Sequence, residues 1–224
     1  MASERKQSEK RDQDLLHTAD FRKIRLNTQI NANLSELCKS EFDAVFKSAE
    51  NIAQLSDIAE VCYGKDHKKL IDGPFPVYGS GGIMRYAERP LYEGKESVLI
   101  PRKGSLNNIM FISEPFWSVD TMFYTKMKNI HAAKYLYYFL RKQDLASMNS
   151  GSAVPSMTTD ILNAMEIPIP SSEDLADFDC RIQPYFDQIR QNIKENDRLC
   201  NLRDHLLPKL MSGEIDVSDL PLPN

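Results

Sequence analysis

The chain has 224 residues, of which 42% are hydrophobic and 27% charged, a composition typical of a soluble globular protein. Its net charge of −4 argues against a free-standing nucleic-acid binder, because phosphate recognition usually requires a basic excess. The four cysteines form no C-x-x-C pair and the four histidines are isolated, which argues against a structural zinc site. No apolar run reaches the roughly 18 residues of a membrane span. The polar first residues lack the apolar core of a signal peptide, so we expect a cytoplasmic protein.

The first predicted element is a long helix that occupies residues 1–54. Neither proline nor glycine occurs between residues 12 and 54, and apolar residues recur there at intervals of three and four. Such a pattern is typical of an amphipathic helix.

Residues 55–170 have a different texture and predict a globular domain. Short β-branched and aromatic runs alternate there with Gly, Pro and Asn, as in IAEVCYG, PFPVYGSGG and SVLIPRKG. Trp117, Phe116 and Phe123 are expected in its core, and Asp120 is expected to form an internal hydrogen bond. Short helices are predicted at residues 131–141 and 158–163, followed by a strand at EIPIP.

A second long helix is predicted over residues 171–213, before a tail at 214–224. Ser171, Ser172, Glu173 and Asp174 supply the cap and the first-turn acids of this helix. Pro184 predicts a kink or a restart, and Gly213 a natural stop. About 40 helical residues would be roughly 60 Å long, more than a core of this size requires. The predicted fold class is α+β: a mixed, mainly β globular domain flanked by two long coiled-coil-forming helices.

The two long helices repeat one another. Shifting residues 24–34 by 165 positions lays them on 189–199 without gaps, and Asn31 then coincides with Asn196. A buried Asn in a coiled-coil seam fixes register at a cost in stability. We therefore expect Asn31 to lie near Asn196, within one chain or between two copies, although chance similarity of two amphipathic helices would also explain the match. The residues predicted to pair the helices are Ile24, Asn31, Leu34, Ile189, Ile193 and Asn196.

Seven phrases resemble the DNA-specificity (S) subunit of type I restriction-modification systems. They are VYGSGGIMRY (77–86), VLIPRKGSLNNIMF (98–111), PFWSVDTMFYT (115–125), YLYYFL (135–140), NSGSAVPSMTTDIL (149–162), EIPIP (166–170) and LRDHLLPKLMSGEIDV (202–217). In that family, two target recognition domains alternate with two long helical conserved regions. This chain has one such domain, at 55–170, so it resembles a half subunit or one half of a longer one.

The resemblance implies a DNA-binding surface on the globular domain. Arg suits guanine and Asn suits adenine, and the Arg, Lys, Ser and Asn side chains can all bind phosphate. Ordinary turn chemistry remains an alternative for the glycines, serines and asparagines, with Gly81 and Gly82 supplying positive φ in a hairpin. A nucleotide-phosphate loop is disfavoured because no G-K-[ST] follows. The candidate DNA-binding residues are Tyr78, Gly79, Ser80, Gly81, Gly82, Arg85, Tyr86, Arg102, Lys103, Ser105, Asn107, Asn108, Ser150, Gly151 and Ser152.

The resemblance also implies a non-catalytic role and a set of partners. The expected partners are double-stranded DNA, the modification (M) and restriction (R) subunits, and a second copy or a second half subunit. No cofactor is expected on this chain, whereas S-adenosylmethionine is expected on the M subunit. Leu199, Leu202, Leu206, Leu207 and Leu210 outnumber what one seam can use, which predicts a second apolar stripe for another protein. The alternative function is a coiled-coil-dimerised protein-interaction adaptor that binds no DNA.

Overall fold

The computed structural model describes residues 2–148, 156–212 and 214. The chain divides into two compact units. One, called the helical unit below, comprises residues 1–38 and 182–224; the other, called the globular unit, comprises Lys39–Arg181. Two long helices, α1 (Ala2–Lys47) and α5 (Ser172–Met211), each contribute residues to both units. The structure confirms an α+β fold with two long helices.

The first helix ends earlier than the sequence pattern predicts. It stops at Lys47, and Asn51–Gln54 form strand β1, which pairs antiparallel with β9 (Glu166–Ile169). The prediction of helix up to residue 54 is therefore wrong at its end. The physical reason is a backbone partner more than a hundred residues away, which no local periodicity can reveal.

The second helix begins as its cap residues predict. The backbone N–H of Asp174 donates to Ser171 Oγ over 3.1 Å, and α5 starts at Ser172. It then continues through Pro184 to Met211 as one element, so a restart at Pro184 does not occur. Gly213, the predicted stop, lies outside the described residues.

The globular unit is built around short strands of mostly antiparallel pairing. Besides the two-stranded sheet of β1 and β9, its strands are β2 (Ala59–Tyr63), β3 (Phe75–Gly79), β4 (Gly82–Ala87), β5 (Ser97–Pro101), β6 (Met110–Ile112), β7 (Trp117–Ser118) and β8 (Met122–Met127). They form a four-stranded sheet in the order β2-β8-β5-β6 and a three-stranded sheet in the order β4-β3-β7. Three short helices complete the unit: α2 (Leu55–Ile58), α3 (Ala133–Lys142) and α4 (Thr159–Asn163).

The core of the globular unit explains why its central strands are so apolar. All five residues of β5 are buried, as expected for a strand with neighbours on both edges and both faces. Phe116 and Phe123 are fully buried and Trp117 is 7% exposed, which confirms them as core residues. Within the described residues, no helix is both long and apolar enough to cross a membrane.

Buried charges also hold this unit together. The Lys134 ammonium group on α3, only 1% exposed, donates to Glu96 Oε1 over 2.7 Å and to Asp179 Oδ1 over 2.6 Å. The other oxygen of Asp179 lies 2.9 Å from His131 Nδ1. These mostly buried ion pairs thus join α3 to the segment before β5 and to α5, which are distant in sequence.

Candidate functional site

The candidate site begins at the hairpin between β3 and β4. Gly79 pairs with Gly82, so Ser80 and Gly81 form a two-residue turn. Gly82 adopts a φ of 112°, a conformation that favours glycine. Gly81 does not take a positive φ, so the hairpin alternative is right about the turn and about Gly82 and wrong about Gly81. A Cβ added at either glycine would meet no atom within 4 Å, which leaves the backbone of this turn open to a ligand.

A second loop, residues 102–108, lies directly against this turn. Asn108 Nδ2 donates to the backbone oxygen of Ser80 over 2.7 Å. Gly104 takes a φ of 86°, and a Cβ there would lie 3.0 Å from Ser80 Oγ. Both the backbone conformation and the close approach therefore require glycine at position 104. The turn at residues 80–82 and the loop at residues 102–108 are therefore distant in sequence but form one surface.

The basic residues of the second loop are positioned by the chain on both sides. Arg102 donates its backbone N–H to the Thr121 oxygen over 2.8 Å, and its carbonyl accepts from Met157 N–H over 2.9 Å. Lys103 forms an isolated antiparallel bridge with Ser156, and its side chain is exposed. This surface, formed by residues 80–82 and 102–108, is called the loop surface below.

Other candidates are engaged elsewhere. Arg85 bonds the Asp72 carboxylate and the Leu70 carbonyl, the latter over 3.1 Å, so its charge is already compensated. Asn107 bonds Asp144 Oδ1 over 3.2 Å and accepts from Ala146 N–H. Tyr78 is 7% exposed, and desolvation raises the pKa of its phenol above the ordinary value. Arg85 and Asn107 are therefore held by bonds within the protein, and Tyr78 is held by burial, so all three side chains have a structural role.

The remaining candidates divide by exposure. Tyr86 is 51% exposed on β4, and Ser105 is exposed on the loop surface. Gly79 is buried, and a Cβ there would collide with Met84 Sδ at 2.4 Å, so this glycine makes room for a neighbouring side chain. Ser150, Gly151 and Ser152 lie outside the described residues.

Sequence reasoning overlooked two members of the site. Tyr63 on β2 lies under Arg102, with the guanidinium carbon 5.4 Å from the ring centroid. Nothing in the sequence links these two positions, because β2 reaches β5 only through β8. Gly104, by contrast, was detectable from its place in the turn sequence KGSLNN. The Asp120 side chain is exposed, and among the described residues only its backbone oxygen accepts a bond, from Arg102 Nη1 over 3.4 Å.

The requirement for glycine at position 104 can be tested. Gly104→Ala is expected to lower the free energy of unfolding by about 1–2 kcal/mol, because a Cβ strains positive φ. Gly81→Ala is the matched control, since it faces open space at an ordinary φ, and should change stability by less than about 0.5 kcal/mol. Urea unfolding followed by fluorescence of Trp117, the single tryptophan, measures both. Equal stability of the two variants would contradict the assigned packing.

In the helical unit, the two long helices meet through asparagines. Asn27 Nδ2 donates to Asn196 Oδ1 over 2.9 Å and to Glu195 Oε2 over 2.8 Å. Asn192 Nδ2 donates to Asn31 Oδ1 over 2.7 Å. The structure thus pairs Asn31 with Asn192 and not, as predicted, with Asn196.

This crossed pairing follows from the internal repeat. Adding 165 to Asn27 gives Asn192, and subtracting 165 from Asn196 gives Asn31, so either bond becomes the other when the helices are exchanged. Antiparallel helices related by an approximate two-fold axis require such an exchange. A direct contact between Asn31 and its own repeat partner would instead have to lie on the axis itself.

The burial pattern follows the repeat as well. Ile24, Leu34, Ile189 and Leu199 are partly buried, whereas Asn27 and Asn192 are only 2% and 4% exposed. Ile193 is 50% exposed, so it lies off the seam to which the sequence pattern had assigned it. The position one residue earlier, Asn192, occupies the seam.

Comparison with known proteins places these features in a family. The model of the type I restriction modification DNA specificity domain matches residues 50–198. The HindI type I restriction enzyme specificity subunit of Haemophilus influenzae is 36% identical over 92 residues, which cover 41% of this chain and 18% of that protein. The MjaIX specificity subunit of Methanocaldococcus jannaschii is 35% identical over 85 residues, or 38% of this chain and 19% of that protein.

Solved structures show the same fold. The crystal structure of a type I restriction-modification S subunit from M. genitalium matches with a TM-score of 0.71 at 20% identity, over 91% of this chain and 60% of that one. A structure from work on complex assembly and conformational transition of the type I R-M system matches with a TM-score of 0.51 at 13% identity, over 89% and 57% of the two chains. This chain therefore spans less than two thirds of the length of these relatives. Because the family model covers most of the chain, the chain belongs to the type I restriction-modification DNA specificity family.

Proposed function

We propose that this chain is a non-catalytic, sequence-specific DNA-binding subunit that directs a type I methyltransferase and restriction complex to its target. The observation that carries the proposal is the loop surface, where the open Ser80–Gly82 turn meets the loop bearing Arg102 and Lys103. Within the described part of the chain, neither of these two basic side chains forms an ion pair with a carboxylate. Their positive charge is therefore available to DNA although the whole chain is acidic.

The helical unit would set geometry and dock partners. Two recognition domains held at a fixed separation would read a bipartite site with a spacer of set length. The second domain would come from another copy of the chain or from a different half subunit. Exposed apolar residues on the long helices support docking of further subunits: Leu26, Ile30, Leu37, Leu202 and Leu206 are 37% to 49% exposed. The proposed partners are M subunits, which would carry S-adenosylmethionine, and R subunits.

Lys103→Ala is expected to weaken DNA binding to all sequences alike and to make it less sensitive to salt. A lysine that neutralises one phosphate contributes about 0.9 to the slope of log K against log salt concentration. Fluorescence anisotropy of a labelled duplex at several salt concentrations, with the chain assembled with its M subunit, measures this slope.

Lys126→Ala provides the matched control for that experiment. Lys126 lies on β8, four residues beyond Met122, which pairs with Pro101. At about 3.3 Å per residue, this places Lys126 roughly 13 Å further along the strand. It pairs with Glu60 over 3.4 Å and should leave the slope unchanged. Absence of salt-sensitive DNA binding by the wild-type complex would instead favour the interaction adaptor.

A further inference from the structure

Arg102, which is half-buried, is held more firmly than Lys103, the other basic residue of the loop surface. Its backbone N–H and carbonyl are both bonded, to Thr121 and Met157, as it leaves the fully buried strand β5. Its side chain is held too, because Nη1 donates to the Asp120 carbonyl over 3.4 Å and the guanidinium lies 5.4 Å from the Tyr63 ring centroid. That distance is within the range of a cation–π contact.

Tyr63 is itself anchored. Its hydroxyl lies 3.4 Å from Thr159 Oγ1, at the first residue of α4, and its ring meets Phe123 edge to face at 5.0 Å between centroids. Tyr63 is nevertheless 51% exposed. An exposed aromatic ring that is held on two sides forms a rigid platform for a cation at the protein surface.

The partners of Arg102 leave its charge and most of its donors available. The guanidinium carbon lies over the Tyr63 ring, which accepts no charge from it. A neutral carbonyl takes one of the five N–H donors of an arginine. Arg85, in contrast, is bound to the carboxylate of Asp72. Lys103 is exposed and has a flexible point charge instead of a planar fork.

On the basis of the proposed DNA-binding function, we propose that Arg102 reads a guanine edge and that Tyr63 is the residue that positions it. A planar guanidinium can donate two hydrogen bonds to O6 and N7 of guanine in the major groove, which distinguishes this base from the other three. Fixing the side chain before DNA arrives reduces the conformational entropy lost on binding. Lys103, beside it, contacts phosphate and carries no sequence information.

Selection from a pool of random-sequence DNA duplexes tests this assignment, using the chain assembled with its M subunit. Arg102→Lys keeps the charge but removes the fork. It should lose preference for guanine at one position of the enriched motif by about 5- to 150-fold, with the salt slope unchanged. Lys103→Ala should retain the whole motif at lower affinity. Tyr63→Leu should lose preference at the same position as Arg102→Lys, whereas Tyr63→Phe, which keeps the ring, should resemble wild type.

The outcomes separate this inference from the proposed function. If the wild-type complex enriches no motif, the proposed function fails, and the inference with it. If wild type enriches a motif and Arg102→Lys weakens all its positions equally, the base assignment is overturned. A wild-type motif from Tyr63→Leu would overturn the positioning role. Thermal unfolding followed by Trp117 fluorescence confirms that each variant is folded, so that a lost preference reports on recognition.

Discussion

Replacing Lys134 by methionine is expected to lower the free energy of unfolding of the globular unit by about 3–5 kcal/mol. Methionine matches the volume of the stem but removes the ammonium group from between two carboxylates. Glu96 and Asp179 have side chains only 17% and 15% exposed, so neither can recover full hydration. Glu96 Oε2 is buried without a hydrogen-bond partner among the described residues, so this carboxylate would lose its main compensation.

Lys142→Met on the same helix is the matched control, because it removes the same charge from a site open to water. Lys142 is 49% exposed, pairs with Asp43 over 3.3 Å and lies 4.2 Å from the Phe46 ring centroid. Its replacement should cost about 1 kcal/mol or less. Guanidinium unfolding monitored by Trp117 fluorescence compares the two variants. Similar midpoints would show that the Lys134 ion pairs contribute no more than a surface pair.

In the helical unit, Asn27→Ala and Asn192→Ala are each expected to destabilise the helix pair, by about 1–3 kcal/mol. Each change removes the amide that donates across the seam and leaves a partner oxygen, on Asn196 or Asn31, without its bond. The two bonds are related by the approximate two-fold axis, so both losses should destabilise the pair. Asn27→Ala should have the larger effect, because it also removes the bond from Asn27 Nδ2 to Glu195 Oε2. Hydrogen exchange of the amides in residues 24–34 and 189–199 should accelerate by about 5- to 150-fold.

Asn33→Ala tests whether the effect belongs to the seam. Asn33 is exposed on α1, and alanine is the better helix former by up to about 0.7 kcal/mol, so exchange should be unchanged or slower. If Asn27→Ala behaves like Asn33→Ala, the polar layer does not stabilise the pair. An effect at Asn27 without one at Asn192 would contradict the two-fold relation.

The candidate site was predictable in part. The Arg102–Asn108 segment follows an apolar strand and combines a turn sequence with basic and amide side chains, so its composition alone predicts a DNA-binding loop. Arg85 carries the same side chain as Arg102, yet it is bound to Asp72. That difference depends on a loop contact thirteen residues away in the chain, which composition does not encode. Tyr63 could not be identified from the sequence for the same reason, since its contact with Arg102 depends on how β2 and the residue after β5 come together.

What the sequence determined by itself was periodic or repeated. Local spacing predicted the long helices, the cap at Ser171 and the presence of asparagines in the seam, because helix geometry places every third or fourth residue on one face. Comparison of residues 24–34 with 189–199 gave the 165-residue repeat. The tertiary structure decided which residues face one another. It assigned Asn192 instead of Ile193 to the seam, crossed the asparagine pairs, and ended α1 at Lys47. Those outcomes depend on packing between distant segments, where a shift of one residue turns a helix face by about 100° without changing its local pattern.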